Sequence, residues 1–73
     1  MEEYNGLISA ASEQYGLDPA VLKGLIYQES HFNKDAVSPK GAIGIAQFMP
    51  KTAEGIGIDP RDPEQAIFGA AYF

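Results

Sequence analysis

The 73-residue sequence contains no cysteine and has only five basic residues against ten acidic ones. Without cysteine, the chain can form neither a disulfide framework nor a thiolate metal site. Its net charge is −5 and its lysines and arginine are scattered. Nucleic-acid binding requires clustered cations that neutralise phosphates, so this charge pattern argues against a nucleic-acid partner.

Long apolar runs and a basic amino-terminal segment are also missing. No run approaches the ~20 apolar residues of a membrane span, and the opening MEEYNG lacks the basic start of a signal peptide. We therefore expect no transmembrane segment, and the sequence indicates no export route. A chain of this length forms one small domain over residues 1–73 with a marginal core. Self-association or a complementing segment would add buried surface.

Helical periodicity and helix-start signals predict an all-α fold of about four helices. The predicted helices cover residues 2–15, 19 to about 31, 45 to about 55, and 63 onward. The pairs Asp18-Pro19 and Asp62-Pro63 predict helix starts, and Gln65 completes a capping-box-like pattern. Residues 33–44 are rich in turn formers and predict a loop or short hairpin. Gly24, inside the second helix, is expected to allow close approach of another helix.

An acidic residue falls on the apolar stripe of the second helix. Leu22, Leu25, Ile26 and Glu29 recur at i, i+3, i+4 and i+7, which places the glutamate among hydrophobic side chains. Burial disfavours an ionised carboxylate, as suits a general acid. The alternative is that Glu29 lies at the edge of the stripe with its carboxylate in water.

A dense motif follows this glutamate. It reads Glu29-Ser30, Phe32-Asn33-Lys34, Ala36-Val37-Ser38, Gly41-Ala42-Ile43-Gly44-Ile45-Ala46-Gln47 and Met49-Pro50-Lys51-Thr52-Ala53. The pattern resembles soluble-type lytic transglycosylases, relatives of goose-type lysozyme, whose signature runs ES, FNP, AVS, GAxGLMQ and MPxTA. Lys34 replaces the usual proline, and Ile45-Ala46 replace Leu-Met. The resemblance covers the amino-terminal part of the family domain, whose later helices and Ala-Tyr-Asn motif have no counterpart here.

The resemblance implies a lysozyme-like fold and an enzyme that acts on peptidoglycan glycan strands in the cell wall, in the periplasm or as part of a phage particle. It implies that Glu29 is the general acid and base, that Ser38 and Gln47 position an N-acetyl group, and that Met49 forms an apolar wall. Gly44 is expected to let the backbone approach the sugar. Ser30 is expected to support the helix, and no metal or cofactor is implied.

Other residues near the motif are less promising. Asp35 is the nearest second carboxylate, but a turn role is the simpler interpretation, and a lone His31 is weak grounds for a metal site. The main alternative function is a truncated, non-catalytic peptidoglycan-binding or virion structural module, because the motif would look the same in either case.

Overall fold

The computed structural model describes residues 2–73 and contains four α-helices joined by short loops. A 3₁₀ turn, Glu2–Tyr4, precedes the first helix. The α-helices are α1 (Asn5–Tyr15), α2 (Pro19–Ser30), α3 (Pro50–Ile56) and α4 (Pro63–Tyr72). The prediction of an all-α fold with about four helices is confirmed. Within the described residues no helix is both long and apolar enough to cross a membrane.

The helix ends follow from local chemistry. The Asp18 side chain accepts a hydrogen bond from the Ala20 N–H at 2.9 Å, and the Asp62 side chain accepts one from the Glu64 N–H at 3.2 Å. Each aspartate thus satisfies a backbone donor that the first helical turn leaves free. Gly16 ends α1 in the left-handed conformation, with φ of 68°, which glycine adopts without steric cost. These boundaries agree with the sequence predictions.

The core lies where α1 packs against α4 and α2. Each of these helices contributes the side chains of one face to the core, and Ile45 joins them from the loop between α2 and α3. The buried apolar residues are Tyr4, Ile8, Ala11, Leu22, Ile26, Phe32, Ile45, Ala66, Ile67 and Ala71. Ser12 is also fully buried, and its hydroxyl has no hydrogen-bond partner among residues 2–73.

The segment between α2 and α3 is a loop with hairpin character, as predicted. Val37 and Ile43 form one isolated antiparallel bridge, and Ile43 and Phe48 form a second. No longer strand occurs in the described part of the chain. The bridges fold this segment back on itself twice, and the Gln47 side-chain amide reaches the Ala36 carbonyl at 3.1 Å.

The predicted third helix is wrong in its first half. Residues 44–47 form a turn rather than helix, and Gln47 has a left-handed backbone with φ of 55°. Pro50 disfavours the helical region for the residue before it, and Met49 is accordingly extended, with φ of −70° and ψ of 144°. Helix α3 therefore begins at Pro50, and Gln47 and Met49 project from a turn.

Two smaller predictions also need correction. An added Cβ on Gly24 would meet no atom within 4 Å, so this glycine does not mark a close helix contact. Gln65 does not complete a standard capping box, because its Oε1 accepts from the Asp59 N–H at 2.8 Å. Its Nε2 instead donates to the Asp62 carboxylate at 3.0 Å, which ties the connector before α4 to the helix.

Candidate active site

An apolar groove of about 310 Å³ runs between α2, the turn before α3, and the end of α4. Glu29 is the ionisable side chain that lines it. The complete lining is Leu25, Glu29, Ala46, Gln47, Phe48, Met49, Thr52, Ala70 and Phe73. Three residues predicted as site residues, Glu29, Gln47 and Met49, thus share one groove although up to 20 positions separate them in the sequence.

Glu29 is exposed, which corrects the expectation that it is buried among hydrophobes. The core face of α2 is formed by Leu22 and Ile26, which are 1% and 0% exposed. Leu25 and Glu29 project from one flank of that face, and Leu25 is 41% exposed. The carboxylate has no hydrogen-bond or ion-pair partner within residues 2–73. The edge-of-stripe alternative therefore describes Glu29, and its carboxylate is available to a ligand in the groove.

Ser30 holds the end of α2 against the long loop. Its hydroxyl donates to the Ile45 carbonyl oxygen at 2.5 Å, and it lies 3.4 Å from the Ile26 carbonyl oxygen. Ile45 is fully buried, so this bond fixes the loop to the core directly beside the glutamate. The bond lies within the protein, and the supporting role expected of Ser30 in the site stays a prediction.

Gln47 stabilises the loop through its side-chain amide. Its Nε2 donates to the Ala36 carbonyl at 3.1 Å and to the Gly44 carbonyl at 2.8 Å. Both hydrogens of the amide nitrogen are thereby used within the protein, since an NH₂ group has two donors. Only the Oε1 atom remains for a ligand, so Gln47 can accept a hydrogen bond in the groove but has no donor left to offer.

Ser38 and Gly44 do not line the groove. The Ser38 hydroxyl accepts from the Ala42 N–H at 3.0 Å, and thereby closes the turn at the tip of the loop. Gly44 is buried with φ of 85°, and a Cβ on it would overlap the Pro60 carbonyl oxygen. The glycine therefore admits the connector before α4, where a sugar had been expected.

The sequence motif did not reveal the apolar half of the groove. Leu25 lies one helical turn before Glu29, and this spacing could have identified it. Phe73 is 78% exposed and meets Phe48 edge to face, with ring centroids 6.1 Å apart. Its place in the groove depends on how α4 packs, for which the local sequence carries no signal. Exposed aromatic and aliphatic side chains on either side of a carboxylate suit the apolar faces of sugar rings.

Comparisons with known proteins identify relatives of the whole chain. The Transglycosylase SLT domain family matches residues 6–73. The chain is 42% identical over 74 aligned positions to membrane-bound lytic murein transglycosylase F 1 of Alkalilimnicola ehrlichii, covering 100% of this chain and 15% of the relative. It is 45% identical over 65 positions to a transglycosylase of Enterobacteria phage PRD1, covering 88% of this chain and 24% of the relative.

A solved structure shares the fold. It is lytic transglycosylase Slt of Pseudomonas aeruginosa, crystallised as an inactive mutant in which one glutamate is replaced by glutamine. The TM-score is 0.77 at 29% sequence identity, over 92% of this chain and 13% of the solved one. The chain therefore spans between about an eighth and a quarter of the length of these relatives.

Proposed function

This chain belongs to the Transglycosylase SLT domain family, and from that premise we propose that it cleaves the β-1,4 bond between N-acetylmuramic acid and N-acetylglucosamine in peptidoglycan. The product is a 1,6-anhydromuramyl end. Its place of action is the peptidoglycan layer, reached in the bacterial periplasm or from a phage particle. The supporting observation is that, among residues 2–73, Glu29 is the only ionisable side chain lining a groove whose other walls are mostly apolar.

In the proposed reaction Glu29 acts first as acid and then as base. Its carboxyl group donates a proton to the bridging oxygen as the bond from that oxygen to C1 of the muramyl residue breaks. The substrate's N-acetyl carbonyl oxygen bonds to C1 from the other face. The Glu29 carboxylate then takes the proton of the muramyl 6-hydroxyl, whose oxygen attacks C1 and releases the acetamido group. No water is consumed.

Ring closure rather than hydrolysis is favoured because, in the described part of the chain, no acidic side chain other than Glu29 lines the groove. Most glycosidases use a pair of carboxylates, one of which acts as nucleophile or activates water. Asp35 lines a different cavity, and the Asp59 and Asp62 side chains accept backbone hydrogen bonds from Arg61 and Glu64. An intramolecular hydroxyl has an effective molarity of up to ~10⁵ M or more, against about 55 M for water.

Because Glu29 is exposed in the free protein, the bound substrate itself would have to exclude water from its carboxylate. A glycan seated between Leu25 and Phe73 would displace water from the Glu29 carboxylate and place the bridging oxygen beside it in a less polar environment. Within the groove, the Oε1 atom of Gln47 would accept a hydrogen bond from an N–H or hydroxyl of the sugar. Met49 would contact an apolar ring face.

The same exposure favours a second candidate function, glycan binding without turnover. If the chain only docks on the wall, the groove would hold sugar but Glu29 would not be desolvated enough to transfer a proton. This candidate has the same ligand and the same groove, and it differs in predicting no product.

Digestion of purified sacculi by the 73-residue chain separates these functions. Mass spectrometry should find muropeptides lighter by one water, which borohydride does not reduce. Glu29→Gln should abolish them, whereas Glu54→Gln, which removes an exposed glutamate outside the groove, should not. Reducible products would indicate a hydrolase. Sacculus binding by the wild type with no product of either kind would establish the binding module.

A further inference from the structure

A small cavity on the loop is flanked by two cations and shares no lining residue with the groove. Its volume is about 80 Å³, and it is lined by Lys34, Asp35, Ala36, Val37, Ile43 and Arg61. Two of the five basic residues of this acidic chain thus meet at one small cavity, although 27 positions separate them. We propose that this cavity, called here the Lys34–Arg61 pocket, binds a carboxylate of the peptide stem carried by peptidoglycan.

The fold brings the two cations together from separate loops. Lys34 follows α2 in a turn where the Asn33 side chain accepts from the Asp35 N–H at 2.9 Å. Arg61 lies in the connector before α4, where the Asp59 side chain accepts from the Arg61 N–H at 2.9 Å. Gly44 lets the Pro60 carbonyl approach the loop, and this contact closes the distance between the two segments.

The charged groups around the pocket leave the Arg61 guanidinium available to bind an anion. Lys34 Nζ lies 3.5 Å from the Asp35 carboxylate, and both side chains are more than half exposed, so this ion pair is weak. The Arg61 guanidinium has no carboxylate within 4 Å in the described part of the chain. A guanidinium presents a planar set of donors that matches a carboxylate. The incoming anion would therefore bind Arg61, and Lys34 would turn to it from Asp35.

The floor of the pocket distinguishes a carboxylate on a short aliphatic chain from a bare anion. Ala36, Val37 and Ile43 supply methyl groups there, and Val37 is 62% exposed. About 80 Å³ corresponds to roughly three groups the size of a water molecule. A carboxylate with an attached methyl or methylene fits that space. The alanyl and acidic residues of a peptidoglycan stem carry this combination, whereas phosphate lacks the apolar part.

The pocket and the groove share one structural element. Ala36 lines the pocket, and its carbonyl accepts the Gln47 amide that lines the groove. This inference rests on the proposed function for the identity of its ligand, and it assigns to the loop a role in recognising the stem while the groove holds the glycan.

The test uses a free peptide, which contains no glycosidic bond and therefore reports on the pocket independently of cleavage. The dipeptide L-Ala-γ-D-Glu, acetylated at its amino end, is titrated into the ¹⁵N-labelled 73-residue chain and followed by NMR. We expect saturable shifts at the Arg61 side chain and at residues 34–37, with a Kd on the order of 1 mM, as befits one exposed ionic contact. Arg61→Gln should raise the Kd at least about threefold.

Three comparisons make the result decisive. Lys40→Gln removes one positive charge from the same loop outside the pocket and should leave the Kd unchanged. Equal binding of the fully amidated dipeptide, or equal shifts with inorganic phosphate, would overturn the proposal by showing that carboxylate and methyl recognition are absent. Absence of any shift would also overturn it. Failure of sacculus cleavage would count against the proposed function alone, because the peptide titration does not depend on it.

Discussion

Three glycines in different settings allow the structural reasoning to be tested by one matched series of alanine variants. Gly44 has φ of 85° and faces the Pro60 carbonyl, Gly41 has φ of 94° with open space around it, and Gly24 lies inside α2 with no atom within 4 Å. Alanine adds the same methyl group at each position. The three variants therefore separate steric overlap, backbone strain and helix propensity.

The expected magnitudes differ in size and sign. A left-handed backbone costs an L-residue about 1–2 kcal/mol, so Gly41→Ala should lower the free energy of unfolding by about that amount. Gly44→Ala adds overlap with a backbone oxygen that cannot rotate away, and overpacking costs a further ~1–3 kcal/mol. Gly24→Ala should raise the free energy of unfolding by about 1 kcal/mol, because alanine is the better helix former.

Thermal unfolding followed by far-ultraviolet circular dichroism measures the melting temperatures of the three variants and the wild type. For a domain of this size about 1 kcal/mol shifts Tm by roughly 4–8 °C, so Gly44→Ala should melt at least about 8 °C below the wild type and also below Gly41→Ala. Gly24→Ala should melt above the wild type. Coincident melting of Gly44→Ala and Gly41→Ala would refute the packing of Pro60 on the loop, and with it the geometry that assembles the Lys34–Arg61 pocket.

Three further predictions concern polar groups. Ser30→Ala should lower the free energy of unfolding by about 1–2 kcal/mol in urea titrations, because the Ile45 carbonyl loses its partner; an unchanged midpoint would contradict this. Ser12→Ala should raise the free energy of unfolding measured in urea by about 1 kcal/mol, because a buried hydroxyl without a partner is removed. Burial, reinforced by the charge of Glu3, raises the pKa of the Tyr4 hydroxyl above 10.0. The unfolded chain therefore loses this proton first, so stability should fall as pH rises through about 10, and Tyr4→Phe should reduce that fall.

The helix starts were predictable because their signals are local. Asp18 and Asp62 each satisfy a backbone donor two residues ahead, and nothing distant in the fold competes for them. The third helix was mispredicted because its first residues are set by non-local bonds. The Gln47 amide joins the carbonyl of Ala36, eleven residues earlier, and this bond holds a left-handed backbone that periodicity does not reveal.

The motif anticipated part of the groove lining but missed its apolar half, and it did not indicate the environment of the glutamate. The motif placed Glu29, Gln47 and Met49 in one site, and they share the groove. Helical spacing identified the side of α2 that carries Glu29, but it could not tell the centre of the core face from its flank. That distinction depends on which helix lies opposite, and in this fold α1 and α4 cover Leu22 and Ile26 while the flank stays open.

The pairing of α1 with α4 also determines when the core can form during synthesis. The two helices are neighbours in space, yet α1 ends at Tyr15 and α4 ends at Tyr72, 57 residues later. At about 5–20 residues per second, a ribosome takes roughly 3–11 s to supply the second partner after the first. Throughout that interval Ile8 and Ala11 have no α4 to pack against. The nascent chain therefore carries an uncovered apolar helix face for seconds, long enough for a chaperone or another nascent chain to contact it.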